Sequence, residues 1–162
     1  MNIFTIPYNS NSFYVRPDTS LNRESSEYYC SSNIKELVVS KFIYAKALKA
    51  GKCIAPKFAE RYYNKIGSGI QLIAPELIDS NSPETWWLAH SLDSSTFIVE
   101  QETDAAEYTS SEIEQINNAF ARVSKHLSVR TGDYIAIEIS REKITSPCPS
   151  VCLEGKEIKI IW

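Results

Sequence analysis

His90 and His126 are the two histidines of the chain, and imidazole is the side chain best suited to moving a proton or binding a soft metal near neutral pH. His126 falls on a predicted helix far along the chain, so no spacing makes the two a metal pair. His90 remains a candidate base, against the simpler expectation of a ring satisfied by ordinary hydrogen bonds. Trp86 and Trp87 have the surface to line an aromatic ligand pocket, although such residues more often anchor a core or an interface. Ser140 and Ser146 have no His and Asp at a spacing that would complete a nucleophile triad. Cys148 would need a basic neighbour to become a thiolate, and Lys143 is a weak one. Cys30, Cys53, Cys148 and Cys152 match neither a zinc spacing nor a redox CxxC, which predicts free thiols in a reducing cytosol.

The elements that must position these groups follow from periodicity and punctuation. Residues 8–35 are rich in Ser, Asn, Tyr and Glu and read as loops with short extended pieces. Glu36 to Ile43 carries a β-branched run and predicts a partly buried strand, followed by a turn at Ala50-Gly51-Lys52. Pro56 suits a first helical position, and Phe58, Tyr62 and Ile66 form an apolar stripe, which predicts a helix from about Pro56 to Ile66. Gly67-Ser68-Gly69 would end that helix before a buried strand at Ile70–Ala74. Ser82 and Pro83 favour a short helix through Trp86-Trp87-Leu88-Ala89. The stretch from Glu100 to Tyr108 is acidic and expected to be exposed. Ser111 and Glu114 fit a capping box, and Ile113, Ile116, Phe120, Val123 and Leu127 recur at helical spacing. After Thr131-Gly132-Asp133 comes a strand, Tyr134 to Ile139, with Ile135, Ile137 and Ile139 on one face. The chain ends in a hairpin that turns at Glu154-Gly155-Lys156. Helices and strands mix without a βαβ beat, so the fold class is α+β, with two main helices and one domain over residues 1–162.

Composition narrows the partners. Hydrophobic residues make up 43% and charged residues 23% of the chain, the balance of an ordinary globular protein. With a net charge of −3 and 17 Lys and Arg scattered along the chain, neither nucleic acid nor an anionic membrane surface is expected as a partner. No apolar run approaches a membrane span, and Met1 to Pro7 lacks the basic and apolar segments of a signal peptide, so a cytoplasmic protein is expected.

Several short stretches, in order, resemble the fumarylacetoacetate hydrolase family. Val15-Arg16-Pro17-Asp18-Thr19-Ser20-Leu21 is similar to its Lys-Pro-x-Ser/Thr-x-Leu segment, and Glu36-Leu37-Val38-Val39 to the strand carrying its metal-binding Glu-x-Glu. Phe58-Ala59-x-Arg61-Tyr62-Tyr63 and Ile66-Gly67-x-Gly69-Ile70 resemble the next helix and strand start. Trp86-x-x-Ala89-His90-x-Leu92-Asp93-x-Ser95 resembles its Trp-x-x-Ala-Lys-x-Phe-Asp-x-Ser. Val123-Ser124-Lys125, Leu127 and Thr131-Gly132-Asp133 match the approach to its Thr-Gly-Thr-Pro loop. The resemblance implies a mixed β-sheet roll like the family's C-terminal domain and a homodimer, as small members often form.

It also implies a chemistry, in which three carboxylates hold magnesium or manganese and the ion polarises the oxygens of a 2-oxo acid. A lid supplies a His–Glu pair, and a lysine steadies developing negative charge. Carried over residue by residue, the glutamates fall on Ile34 and Glu36 and the aspartate on Gln71, the remnant positions of the metal site. The lysine falls on His90, and the Thr-Gly-Thr-Pro loop on Ile137-Glu138-Ile139-Ser140. The lid and an internal hairpin between Phe97 and Ser110 have no counterpart. Each lost carboxylate removes on the order of 15 kcal/mol of Coulomb attraction at about 2.2 Å and an effective dielectric of about 20. The expectation is therefore a lost metal site, no cofactor, and a non-catalytic protein acting in binding or assembly. The alternative is a metal-independent hydrolase, isomerase or decarboxylase of 2-oxo acids. In it Lys35, Glu36 and His90 would be the catalytic candidates, with Gln71 and Trp86 binding the substrate. A third possibility is a sensor that binds such acids without turnover.

Overall fold

Alternating inward and outward side chains build the sheets, and the computed structural model describes residues 1–99, 103–104 and 107–162. Its strands are β1 (Asn2–Ile6), β2 (Tyr14–Pro17), β3 (Glu27–Tyr29), β4 (Glu36–Lys46), β5 (Lys65–Ile73), β6 (Thr96–Ile98), β7 (Thr103–Asp104), β8 (Tyr134–Thr145), β9 (Ser150–Leu153) and β10 (Lys156–Ile161). The α-helices are α1 (Glu84–Ala89) and α2 (Ser110–His126). The main sheet runs β2-β1-β8-β4-β5-β6, with β7 beside β5, and a second sheet runs β3-β10-β9. Both are mixed: β1 pairs parallel with β8, and β10 parallel with β3. The expected α+β roll is what the chain forms.

The main sheet curls until its edges touch. Leu21, just past β2, bridges Thr96 of β6, and Asn22 N–H donates to the Thr96 carbonyl at 2.8 Å. Curling gives the sheet an outer and an inner face. Outside, α2 lays Ile116, Phe120 and Val123 over Phe4, Ile6, Ile43 and Ile135. The small sheet covers the rest of the outer face, where Tyr28, Leu153, Ile158 and Ile160 meet Leu37, Val39 and Leu72. The inner face is apolar at one end, with Ile3, Leu21, Phe42, Tyr44, Tyr134 and Ala136. Beside and beyond them it buries Thr5, Tyr14, Arg16, Ser40, Gln71, Thr96 and Glu138.

Strand β8 is longer than expected and changes phase midway. Lys41 of β4 pairs with Ser140, and Phe42 with Glu138, leaving Ile139 as the extra residue of a β-bulge. Ile135 and Ile137 are buried as expected, but the bulge leaves Ile139 47% exposed. Beyond it the alternation is inverted, so Ile144 rather than an odd-numbered residue faces out beside Leu37.

Further expectations are corrected. The helix expected over Pro56–Ile66 is a 3-10 helix at Pro56–Arg61, and Ile66 already belongs to β5. Phe58 is exposed, whereas Ala59 and Tyr63 are buried, so the apparent helical stripe was a coincidence of spacing. Gly67 and Gly69 do not end a helix but lie inside β5, facing Tyr44 and Phe42 across the sheet. The helix α2 is present, but its capping box is Thr109 with Glu112, two residues before the expected pair. Leu127 lies beyond it and is exposed. Of the acidic stretch 100–108, positions 100–102 and 105–106 lie outside the described residues; Tyr108 is half-buried and donates to the Ile66 carbonyl at 3.2 Å.

A Cβ at Gly69 would meet the Phe42 ring and sit 2.6 Å from the Phe97 carbonyl oxygen, which β5–β6 pairing holds in place. Gly69→Ala is therefore expected to cost about 1–3 kcal/mol by overpacking, read as a lower urea midpoint with an unchanged slope.

Candidate functional site

The bulge at Ile139 decides which charged groups enter the roll. Without it, Glu138 and Arg141, three residues apart on one strand, would face opposite ways. With it, Glu138 and Arg141 share the inner face, where Arg141 pairs with Ser40. Arg141 grips the Glu138 carboxylate through Nε to Oε2 at 3.0 Å and Nη2 to both oxygens at 3.1 and 2.8 Å. Glu138 is buried, and Arg141 closes over it from the half-exposed side.

Gln71 completes the centre. It lies opposite Ser40 on β4 and Thr96 on β6. Its Nε2 donates to Glu138 Oε1 and to the Tyr14 hydroxyl, each at 3.0 Å. The Thr5 hydroxyl faces its Oε1 at 3.5 Å. Tyr14 donates to Glu138 Oε1 at 3.3 Å, and the Tyr8 backbone N–H to Oε2 at 3.0 Å. Burial first, and Glu138 next, push the Tyr14 phenol well above its ordinary value, so it stays a neutral donor.

Helix α1 brings two more rings to this end of the roll. His90, at its C-cap, stacks on Trp86 with ring centroids 3.8 Å apart, and both rings stand edge-on to Tyr14. The Trp86 carbonyl lies 2.7 Å from His90 Nδ1, which must therefore carry the proton and donate; in the neutral ring Nε2 is then an acceptor, and it has no partner among the described residues. Burial lowers the His90 pKa first, with Arg141 and Arg16 adding to the effect, while the Trp86 carbonyl and Glu138 work the other way.

Gln71, His90 and Trp86 are thus brought together around Tyr14. Lys35 and Glu36 are not. Glu36 shares the inner face of β4 but lies four residues from Ser40, about 13 Å along the strand. Its carboxylate pairs with Lys143 at 2.5 Å. The backbone N–H groups of Lys35 and Glu36 donate to Glu76 at 2.5 and 3.0 Å. Ile34 is buried in the apolar cluster under the small sheet. A single pocket holding Lys35, Glu36, Gln71 and His90 is therefore corrected to two separate groups. The stretch Ile137–Ser140 is no loop but the bulged middle of β8.

Sequence reasoning passed over Glu138, Arg141, Tyr14 and Thr5 as site residues. Glu138 lay in view among Ile135, Ala136, Ile137 and Ile139 of the expected strand, otherwise uncharged, where a carboxylate needs a partner to be buried. An open cleft of about 600 Å3 lies beside it, lined by Asn9, Asn11, Gln115, Asn118, Arg122 and Glu138 among others.

A magnesium or manganese ion does not fit this centre. The side chain on β4 paired with Gln71 is Ser40, and the one carboxylate among the described residues that Gln71 contacts is already held at both oxygens by Arg141. Among the described residues no three His, Cys, Asp or Glu side chains gather as a metal would need. A dication about 5 Å from a guanidinium meets roughly 7 kcal/mol of repulsion at an effective dielectric of about 20.

Two outcomes are expected. Arg141→Ala should cost on the order of 2–3 kcal/mol by stranding a buried carboxylate, and adding Glu138→Gln should recover most of it in a double-mutant cycle of denaturant midpoints. Because folding lowers the His90 pKa, the unfolded chain binds more protons as pH falls below about 6.5, the ordinary histidine value. Melting temperature should therefore drop from pH 7.5 to 5.5, and drop less in His90→Asn, which keeps the donor to the Trp86 carbonyl.

No protein-family model and no curated protein matches the sequence. Solved structures do match the fold. A Yersinia pestis structure assigned to the fumarylacetoacetate hydrolase family superposes with a TM-score of 0.77 at 14% identity, covering 99% of this chain and 92% of that one. A Burkholderia cenocepacia structure assigned as a fumarylpyruvate hydrolase gives 0.70 at 13% identity, covering 99% and 87%. A 2-hydroxyhepta-2,4-diene-1,7-dioate isomerase from Mycobacterium marinum gives 0.68 at 10% identity, covering 89% and 65%. The chain has the fold of fumarylacetoacetate hydrolase family proteins.

Proposed function

We propose that this protein is a non-catalytic relative of the fumarylacetoacetate hydrolases that acts in binding or assembly, as a cytoplasmic homodimer. The observation that carries the reading is the internally paired cluster of Gln71, Glu138, Arg141 and Tyr14. Where hydrolysis or isomerisation of a 2-oxo acid by the resembled chemistry needs an open cage of carboxylates, this chain sets one carboxylate under a guanidinium from the same strand. Its hydrogen-bonding capacity is used internally, so little is left to polarise a substrate oxygen.

The assembly half of the reading rests on α1. Trp86, Trp87 and Leu88 are 37%, 52% and 53% exposed, and Ile78 nearby is 40% exposed. Large apolar side chains grouped on one surface mark contact sites in globular proteins. Among the described residues no helix is long and apolar enough to cross a membrane.

The metal-independent enzyme is the weaker reading, because its catalytic candidates Lys35 and Glu36 stand apart from Gln71 and His90.

Calorimetric titration with magnesium or manganese chloride should give no binding heat, and acylpyruvates and oxaloacetate should turn over at the buffer rate. Micromolar metal affinity, or turnover abolished by Gln71→Ala, would refute the reading. Sedimentation equilibrium should show a dimer that Trp87→Ala with Leu88→Ala weakens.

A further inference from the structure

Cations scattered along the sequence meet where the connection between β4 and β5 packs on the C-terminal end of α2. Leu48 N–H donates to the Tyr62 carbonyl at 2.8 Å, Gly51 and Val129 exchange two backbone hydrogen bonds at 2.9 Å, and Cys53 N–H donates to the Ser124 carbonyl at 2.9 Å. Lys49, Lys52, Arg61, Lys125 and Arg130 each stand one residue from one of these ties, and all are exposed. Lys57 joins them from the 3-10 helix. Its Nζ lies 5.0 Å, and the Arg61 guanidinium 4.7 Å, from the centre of the Phe58 ring. Lys49 Nζ lies 4.8 Å from the centre of the Tyr62 ring.

Little on this surface answers that charge. Among the described residues none of these six cations is in an ion pair. The acids of residues 47–62 and 124–133 are Glu60 and Asp133. Glu60 accepts from Asn117 at 3.0 Å, and the buried Asp133 carboxylate accepts from the backbone N–H groups of Asn2 and Arg130. Like charges gathered on one surface repel one another, and an acidic partner relieves that repulsion. Lys49, Lys57 and Arg61 are held over rings, so they lose less freedom when a carboxylate arrives.

We infer that this surface docks an acidic polypeptide segment with apolar side chains among its carboxylates. Leu48, Phe58 and Leu127, 51%, 42% and 41% exposed, lie in the same segments as the cations and supply the apolar contacts. Nucleic acid is the poorer match on two grounds. Phe58 and Tyr62, the rings that would stack on bases, already carry cations. The whole chain is net −3, so the surface outside a positive patch is acidic and repels a polyanion that runs past it within a Debye length of about 8–10 Å. A bilayer fits less well because the Phe58 ring would carry two cations toward the acyl layer. The inference names the chemistry of a partner for the binding reading above, and it involves neither the Gln71 cluster nor α1.

The test is fluorescence anisotropy of a labelled Glu-Glu-Leu repeat peptide titrated with the full chain. The peptide should bind saturably, with an affinity that falls as salt rises from about 0.05 to 0.5 M and screens exposed charges. Lys52→Glu with Lys125→Glu should weaken binding about tenfold or more. Lys156→Glu with Lys159→Glu, the same change of charge placed on β10, should leave it unaltered. A Glu-Glu-Ser repeat should bind more weakly than the leucine peptide. If the first pair fails to fold, Lys52→Gln with Lys125→Gln takes its place and should weaken binding in the same direction. Peptide binding by a chain that sediments as a monomer would uphold this surface while refuting the dimer. No peptide binding, equal losses in both charge-reversed pairs, or tighter binding of oligothymidylate or of vesicles containing phosphatidylserine would overturn the inference.

Discussion

One extra residue in β8 sets the content of the roll. Strand side chains alternate with a period of two, so a carboxylate and a guanidinium three residues apart cannot both point inward from a regular strand. The bulge at Ile139 shifts the phase, and Glu138 and Arg141 then meet on the inner face. The shift sends Ile139 outward at a cost in buried apolar surface and leaves the cluster around Gln71 electrically complete. Tyr14, the Tyr8 backbone and the rings of α1 are arranged around that pair.

The source of the positive charge separates this centre from a metal site. A site built of several carboxylates recruits a cation from solution, and its occupancy depends on metal concentration. Here the cation is covalently part of the strand and arrives with folding. A chain-borne guanidinium is directional and monovalent, suited to planar pairing with one carboxylate rather than to gathering several oxygens. Ser40 and Gln71 beside it are neutral, which suits the centre, since further negative charge beside a satisfied Glu138 would have no partner.

Legibility in the sequence followed the range of the interactions involved. Helix α2, the C-terminal hairpin and the strands carrying Val39, Leu72 and Ile135 were readable because each announces itself by local periodicity. The 3-10 turn at Pro56–Arg61 was not, because Phe58, Tyr62 and Ile66 have helical spacing while Gly67 and Gly69 are demanded by rings on a neighbouring strand. Gln71, His90 and Trp86 were singled out through a resemblance of short motifs, and the fold brings them together around Tyr14. Lys35, Glu36 and Ile34 lie apart from Gln71, which a motif of a few residues does not reveal because it carries no register: strand pairing sets Ser40, not Glu36, against Gln71. Arg141 was invisible for a related reason, since only a bulge turns it inward and bulges leave little trace in a single sequence.

The parallel pairing of β1 with β8 has a consequence for how the chain acquires its structure. Ile3 pairs with Tyr134, so β1 gains its parallel neighbour only once the chain has been made as far as β8. During synthesis from the N-terminus, β1 and β2 can pair with each other but must wait, edge exposed, for β8 to emerge. Contacts this distant along the chain slow folding and lengthen the interval in which an apolar edge is open to wrong partners.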